Sequence, residues 1–97
     1  MDEHPPLSGT PFQLLVWKAL KEIPRGEVRT YKQLAAQIGR PQSIRAVANA
    51  CGKNPYIVKI PCHRVIRSDG GLGGYSGPGG IEEKRRLLKQ EGVNFPI

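Results

Sequence analysis

The sequence contains no long apolar run and no segment typical of a signal peptide. We therefore expect a protein that is not bound to a membrane and resides in the cytoplasm or, in a eukaryote, in the nucleus. Acidic residues are also few, since 8 Asp and Glu stand against 15 Lys and Arg and the formal net charge is +7. This balance favours a polyanionic partner, and nucleic acid fits it better than a membrane surface.

Cysteine is rare as well, because only Cys51 and Cys62 occur among the 97 residues. Neither belongs to a CxxC or CxxxH pattern, so the sequence does not predict a zinc site. Two thiols in a basic intracellular domain are more often free than bridged, and Cys51, without reactive neighbours, is interpreted as structural. The length is sufficient for one domain, predicted over 10–97 after a flexible N-terminal tail over 1–9.

Capping residues and apolar spacing predict two helices in the first part of the chain. Thr10 is followed by a proline, which is typical of an N-cap and the first helical position, and apolar residues at helical spacing then predict a helix over 11–23. Thr30 and Gln33 form a capping-box pattern, which predicts a second helix over 30–38.

A third helix is predicted over 42–52, with Ile44, Val47 and Ala48 as its buried face. Gly39 ends the helix before it, as glycine does at many helix C-termini. Two short helices joined by a turn that contains glycine, in a basic chain, indicate a helix-turn-helix.

The second half of the chain predicts a small β element and a final helix. We expect 57–60 to be extended and buried, and 64–67 to be a strand. The Ser-Asp-Gly-Gly sequence at 68–71 is typical of a hairpin turn. After a glycine-rich loop or wing, an amphipathic helix is predicted over 81–90. The fold class is therefore mostly α with a small β-hairpin or wing, a winged helix-turn-helix.

The predicted third helix carries little side-chain bulk, and Arg45 and Asn49 are its main long polar residues. A helix that reads the major groove presents several long polar side chains, whereas this one suits a shallow fit in a minor groove with one side chain pushed into the base stack. Tight internal packing explains the small residues equally well.

The pentapeptide PCHRV at 61–65 places Cys62 beside His63 and Arg64. An imidazole and a guanidinium next to a thiol favour the thiolate, which is the nucleophilic form of cysteine. A buried cysteine is otherwise an inert small apolar residue. Glu91, at the end of the last predicted helix, either orients His63 or is an ordinary solvated carboxylate.

Four segments together form a specific pattern. PCHRV at 61–65 and YSG at 75–77 resemble the active-site region of the O6-alkylguanine-DNA alkyltransferases, and RAV at 45–47 with GxNP at 52–55 resembles that family's recognition helix and asparagine hinge. The resemblance extends over about 10–92. It implies a repair protein that flips O6-alkylguanine out of duplex DNA and transfers the alkyl group irreversibly to its own cysteine.

The resemblance also implies roles for five catalytic residues. Cys62 would accept the alkyl group, His63 would deprotonate it through a water, and Glu91 would orient His63. Tyr31 would press on the phosphate beside the target nucleotide and donate a hydrogen bond to the base. Asn54 would hold the hinge between the recognition helix and the active-site turn.

Further residues would contact the DNA and the flipped base. Arg45 would fill the space that the base leaves, and the backbone N–H of Ser76 would meet the alkylated oxygen. The carbonyls of Cys62 and Val65 would accept from the guanine amino group. The expected DNA-binding residues are Tyr31, Ser43, Arg45, Ala46, Ala48 and Asn49, and the expected base pocket consists of Val65, Tyr75, Ser76 and Gly77.

The function implied is that of a methylated-DNA–protein-cysteine methyltransferase that acts once, as a monomer, on the minor groove of duplex DNA, without a metal or cofactor. Many members carry an additional N-terminal domain. Single-domain relatives include alkyltransferase-like proteins, which bind the lesion but have tryptophan or alanine in place of the cysteine. Because Cys62 is present, we expect transfer. A lesion-binding protein that flags damage and a plain winged-helix regulator are the alternatives.

Overall fold

The computed structural model describes residues 8–56, 58–75, 77 and 79–93. Each predicted helix is present, and no helix end differs by more than two residues from the prediction. The helices are α1 (Pro11–Lys21), α2 (Tyr31–Gln37), α3 (Ile44–Gly52) and α4 (Gly80–Gln90). Within the described ranges, no helix is long and apolar enough to cross a membrane. Of the predicted tail, 1–7 lie outside the described residues, and Ser8 and Gly9 are exposed.

Reciprocal capping boxes begin α1 and α2, as the sequence predicts for α2. The Thr30 hydroxyl accepts from the Gln33 backbone N–H at 3.0 Å, and the Gln33 side chain accepts from the Thr30 N–H at 2.9 Å. Thr10 makes the same pair of bonds at the start of α1. Because these bonds use backbone donors that a helix leaves unpaired, they determine where α1 and α2 begin.

The two-stranded sheet is parallel, so the predicted β-hairpin is wrong. Its strands are β1 (Arg29–Thr30) and β2 (Val65–Ile66), with Arg29 opposite Val65. The chain does turn over 68–71, where the Arg67 N–H donates to the Gly71 carbonyl at 2.8 Å. The Asp69 carboxylate accepts a hydrogen bond from the Gly71 N–H at 2.9 Å. This N–H is then not available as a donor for pairing with a returning strand. The buried β2 pairs instead with the extended segment before α2.

The core lies between α1, α2 and α3. The indole N–H of Trp17 donates to the Ala50 carbonyl at 2.9 Å and so joins the buried faces of α1 and α3. Val47 is buried as predicted, but Ile44 is 37% exposed, so its predicted burial is wrong. The inward face of α3 is formed from its second turn onward by Val47, Ala50 and Cys51, and the first turn extends beyond this contact.

The extended buried segment predicted over 57–60 is also wrong. Ile60 is buried, but Val58 and Lys59 are exposed and lie in a turn. Val58 has a φ of 73°, which belongs to the left-handed region and cannot continue a strand. Ile57 lies outside the described residues. The chain therefore bends sharply just before Pro61 and presents the pentapeptide to the inside of the molecule.

Candidate active site

A cavity of about 820 Å³ opens between α3, α4 and the glycine-rich loop. Its lining brings together three residues predicted for the site that are far apart in the sequence, namely Tyr31, Cys62 and Tyr75. Ala48 also lines it. The second cysteine, Cys51, is buried in the core and lines the same cavity, which its sequence context did not indicate.

Cys62 begins the 3-10 turn Cys62–Arg64, directly after Pro61. Its N–H donates to the Ile60 carbonyl at 2.7 Å. Burial raises the pKa of the Cys62 thiol, and a hydrogen bond with Asn54 and the charge of Lys84 oppose this shift only in part. Cys62 is therefore a neutral thiol at neutral pH, so that a base is needed to form the nucleophile.

Asn54 joins the end of α3 to the turn that carries Cys62. Its side-chain amide donates to the Ile60 carbonyl at 2.6 Å, and its side-chain oxygen accepts from the Tyr56 N–H at 2.9 Å. Its own N–H donates to the Cys51 carbonyl at 3.2 Å. The amide thus satisfies backbone groups on both sides of the bend, and the hinge role that the sequence resemblance implies for Asn54 stays a prediction.

His63 is fully buried, and its Nε2 lies 2.9 Å from Glu91 Oε2. Burial by itself would raise the pKa of Glu91, but hydrogen bonds from Arg64 and His63 outweigh it and lower the pKa to about 2. An ionised carboxylate can only accept, so His63 Nε2 carries the proton and Nδ1 has the free lone pair. Nδ1 is buried and has no hydrogen-bond partner among the described residues.

Burial also lowers the pKa of His63, and although Glu91 raises it, the charges of Arg64 and Lys84 lower it further. His63 is consequently neutral at neutral pH and can accept a proton at Nδ1. The expectation that Arg64 favours the Cys62 thiolate is wrong, because its guanidinium is bonded to Glu91 and to the Ile23 carbonyl.

Lys84 is a buried residue of the site that the sequence analysis missed. Its ammonium donates to the Val65 carbonyl at 2.6 Å and to the Gly74 carbonyl at 3.1 Å, and it lies 5.8 Å from the centre of the Tyr31 ring. Burial lowers its pKa to about 8. Lys84 precedes Leu87 and Leu88 by three and four residues, so helical periodicity could have placed it on the buried face of α4.

Two tyrosines supply phenol groups at the cavity. Burial raises the pKa of both Tyr31 and Tyr75 to about 12, so each stays protonated and can donate a hydrogen bond. The Tyr75 hydroxyl is buried without a partner in the part of the chain that the structure describes. The predicted contact at Ser76 lies outside the described residues. Gly77 is buried, and its carbonyl accepts from the Gly80 N–H at 3.2 Å.

The predicted DNA-binding residues of α3 lie away from the core. Arg45, Ala46 and Asn49 are exposed, whereas Ser43 and Ala48 are half-buried. This side of α3 therefore offers a shallow surface on which Arg45 is the longest side chain. Among the described residues, no group of three or more His, Cys, Asp or Glu side chains could hold a metal ion.

Known proteins resemble this chain over most of its length. Residues 11–93 match the family described as the DNA-binding domain of 6-O-methylguanine DNA methyltransferase. A methylated-DNA–protein-cysteine methyltransferase from Methanosarcina barkeri is 56% identical over 87 residues, which are 90% of this chain and 54% of that protein. The chain thus spans about half the length of this curated relative.

Solved structures agree with the sequence comparison. Mycobacterium tuberculosis OGT in complex with DNA is 53% identical, with a TM-score of 0.85, over 89% of this chain and 52% of that one. Schizosaccharomyces pombe Atl1, in complex with damaged DNA containing O6-carboxymethylguanine, is 32% identical, with a TM-score of 0.78, over 91% and 82% of the two chains. These matches confirm the predicted winged helix-turn-helix class, apart from its β-hairpin, and show that the chain belongs to the 6-O-methylguanine DNA methyltransferase family, of which it represents the DNA-binding domain.

Proposed function

We propose that this protein repairs O6-alkylguanine in duplex DNA by moving the alkyl group permanently to Cys62. One observation carries the proposal, namely a buried thiol on a cavity wall followed directly by an imidazole that a carboxylate holds in one tautomer. A groove-binding regulator needs no such arrangement. One relative is named as a methylated-DNA–protein-cysteine methyltransferase, and one similar structure is a complex with DNA. Both findings support the same reaction.

The proposed reaction begins with loss of the thiol proton. Because the pKa of Cys62 is raised and that of His63 is lowered, the resting pair is neutral. His63 Nδ1 takes the thiol proton through a water, and Glu91 stabilises the resulting imidazolium through Nε2. The thiolate attacks the alkyl carbon as a new S–C bond forms and the C–O6 bond breaks. No cofactor is required, since the thiolate and the departing base are the two partners of the displacement.

The departing guanine gains negative charge, which donors in the cavity can stabilise. Burial raises the pKa of Tyr31 to about 12, so Tyr31 stays protonated, and in this proposal its hydroxyl donates to the base. Tyr75 offers a second hydroxyl, while the Ser76 N–H remains a predicted donor. The Val65 carbonyl is a predicted acceptor for the guanine amino group. It already accepts from Lys84, and a carbonyl oxygen has a second lone pair.

Access to the alkyl carbon on O6 requires the base to leave the helix, because the thiolate cannot reach that carbon within a stacked pair. We propose that the shallow side of α3 enters the minor groove and that Arg45 fills the space left by the base. Unstacking costs a few kcal/mol, which the inserted side chain and phosphate contacts offset. The net charge of +7 favours the approach to DNA.

Replacement of Arg45 by Ala is expected to slow transfer from duplex DNA by about tenfold or more, because the flipped state loses the side chain that stabilises it. The measurement compares single-turnover rates on a duplex and on a single strand that carry the same O6-methylguanine. The single strand needs no filling residue and should be affected much less. Reaction of Cys62 with a small thiol reagent should be unchanged, and Arg25→Ala, another exposed arginine, serves as the control. Unchanged duplex kinetics would exclude the proposed role of Arg45.

Intact-protein mass spectrometry tests the proposed function directly. After incubation with an oligonucleotide that contains one O6-methylguanine, the protein should gain about 14 Da, located on Cys62 and absent in Cys62→Ala. The structural similarity to Atl1 favours one second candidate, a protein that binds the lesion without transfer. No mass change together with preferential lesion binding would establish that candidate. Absence of lesion preference as well would favour a DNA-binding regulator.

A further inference from the structure

Among the described residues, the Arg64 side chain makes three hydrogen bonds, and none of them involves Cys62. Its Nε donates to Glu91 Oε1 at 2.9 Å and its Nη2 to Glu91 Oε2 at 2.9 Å. Its Nη1 donates to the Ile23 carbonyl, just after α1, at 2.7 Å. The guanidinium therefore donates to both carboxylate oxygens of Glu91, while its third hydrogen bond, to the Ile23 carbonyl, fixes the position of the guanidinium itself. Such a two-point contact determines the plane of the carboxylate as well as its distance.

Glu91 Oε2 is shared between two donors, Arg64 Nη2 and His63 Nε2. With both of its oxygens engaged by the guanidinium, the carboxylate cannot rotate away from His63. It also cannot take up a proton without losing a charge-assisted bond to Arg64. Both restrictions act on the imidazole, because an ionised carboxylate in this position accepts only from the tautomer that is protonated at Nε2.

We propose that Arg64 is a positioning residue for the transfer reaction, which holds Glu91 as an oriented anion so that His63 keeps its proton on Nε2 and offers Nδ1 to the proton of Cys62. This inference rests on the proposed function of Cys62 as alkyl acceptor. The chain of contacts runs from the Ile23 carbonyl through Arg64 and Glu91 to His63, and every link in it is a hydrogen bond of 2.7 to 2.9 Å.

The charges that face His63 explain why an arginine is needed. Arg64 and the Cys62 thiol come from the same 3-10 turn, and Lys84 and Glu91 come from α4 and its C-terminal end. The side that faces α1 contributes the Ile23 carbonyl, which Arg64 covers. Without the guanidinium, the negative charge of Glu91 would act on His63 without the opposing positive charge of Arg64. The pKa of His63 would then rise, and a protonated imidazole has no lone pair for the thiol proton.

The test compares Arg64→Gln and Arg64→Lys with the wild type in single-turnover transfer from O6-methylguanine DNA between about pH 6 and about pH 9. In Arg64→Gln, the acidic limb of the rate profile should move upward by about one pH unit, so that transfer is about tenfold slower at the acidic end and recovers at the basic end. Arg64→Lys keeps the positive charge but cannot make the two-point contact of a guanidinium with the carboxylate. The acidic limb of its rate profile should therefore lie at the wild-type pH, while the maximal transfer rate should be lower. Arg25→Gln is the control, because Arg25 is exposed and its side chain lies near the end of α4, 3.4 Å from the Gln90 carbonyl.

A loss of rate by the same factor at every pH would mean that Arg64 only supports the fold, and an unchanged profile would mean that it plays no part. Either result overturns the inference. If Arg64→Gln does not fold, NMR of the wild-type imidazole decides, since the sequence contains only two histidines. His63 must be protonated at Nε2 in the DNA-free protein, and the Nδ1-protonated form would overturn the inference. The NMR measurement does not require transfer activity. Failure of the proposed function, which mass spectrometry would show as an unmodified Cys62, can therefore be distinguished from failure of this inference.

Discussion

Glu91→Gln is expected to slow alkyl transfer by about 100- to 1,000-fold at neutral pH, within the usual range for loss of general base catalysis. Glutamine has one acceptor oxygen where Glu91 uses two, toward Arg64 and His63. If the amide nitrogen faces His63, the imidazole must move its proton to Nδ1 and loses the lone pair for the thiol. If the nitrogen faces Arg64, the guanidinium loses one bond and the orientation of the side chain is no longer fixed.

Single-turnover transfer measured as a function of pH provides the check on Glu91. Because the pKa of Cys62 is raised, the variant should approach the wild-type rate only at high pH, where the thiolate forms without a base. Glu82→Gln is the matched control, since Glu82 lies in α4, the helix that Glu91 follows, with 83% of its side chain exposed. A rate for Glu91→Gln within threefold of the wild type at neutral pH would contradict the proposed proton path.

Lys84→Met is expected to reduce transfer by about 100-fold, because small displacements of substrate-positioning groups have effects of that size. The ammonium of Lys84 bonds the Val65 carbonyl of β2 and the Gly74 carbonyl of the glycine-rich loop, and so connects two walls of the cavity. Methionine preserves the length and apolar stem of the side chain but donates to neither carbonyl. The loop that carries Tyr75 would then no longer be held against β2.

A second effect of Lys84→Met concerns the thiol itself. The positive charge of Lys84 opposes the rise in the pKa of Cys62, so its removal should raise that pKa further. Reaction with a small thiol reagent should therefore slow at neutral pH, but by less than transfer does, because the reagent does not depend on the shape of the cavity. Lys89→Met, at an exposed lysine of the same helix, controls for charge loss, and thermal unfolding monitors stability. Transfer at the wild-type rate would refute the role assigned to Lys84.

The helices were predictable because their signals are local. Capping residues such as Thr30 act on backbone groups three residues away, and the glycines at 39 and 92 have positive φ angles of 77° and 86° after α2 and α4. Periodicity identified Val47 as buried, but it failed at Ile44, since burial there depends on how far the neighbouring helices extend. Amphipathic patterns show which face turns inward, and the lengths of the packed elements decide how much of it is covered.

The candidate site was partly predictable for a related reason. Cys62 and His63 are adjacent in a pentapeptide specific enough to indicate a family, so the proposed nucleophile and its proposed base could be named without coordinates. Tyr31 and Asn54 followed only through the resemblance, because nothing in their spacing brings them to Cys62. For Glu91, the resemblance favoured one of the two roles that its position had left open. The buried Lys84 went unrecognised, since a lysine on an apolar face is rarely assigned to a core.

Local chemistry in the chain was thus sufficient to predict the helices, their caps and the basic character, and to name Cys62 as the proposed nucleophile. Contacts between distant segments decided the remainder. These contacts join residues that are separated by 10 to 36 positions. They are the pairing of Arg29 with Val65, the two hydrogen bonds from Arg64 to Glu91, and the bonds from Lys84 to Val65 and Gly74. A side chain's neighbours in the sequence do not determine which buried donor meets which acceptor. That choice follows from the requirement that each polar group enclosed by packing find a partner, which only the folded chain can satisfy.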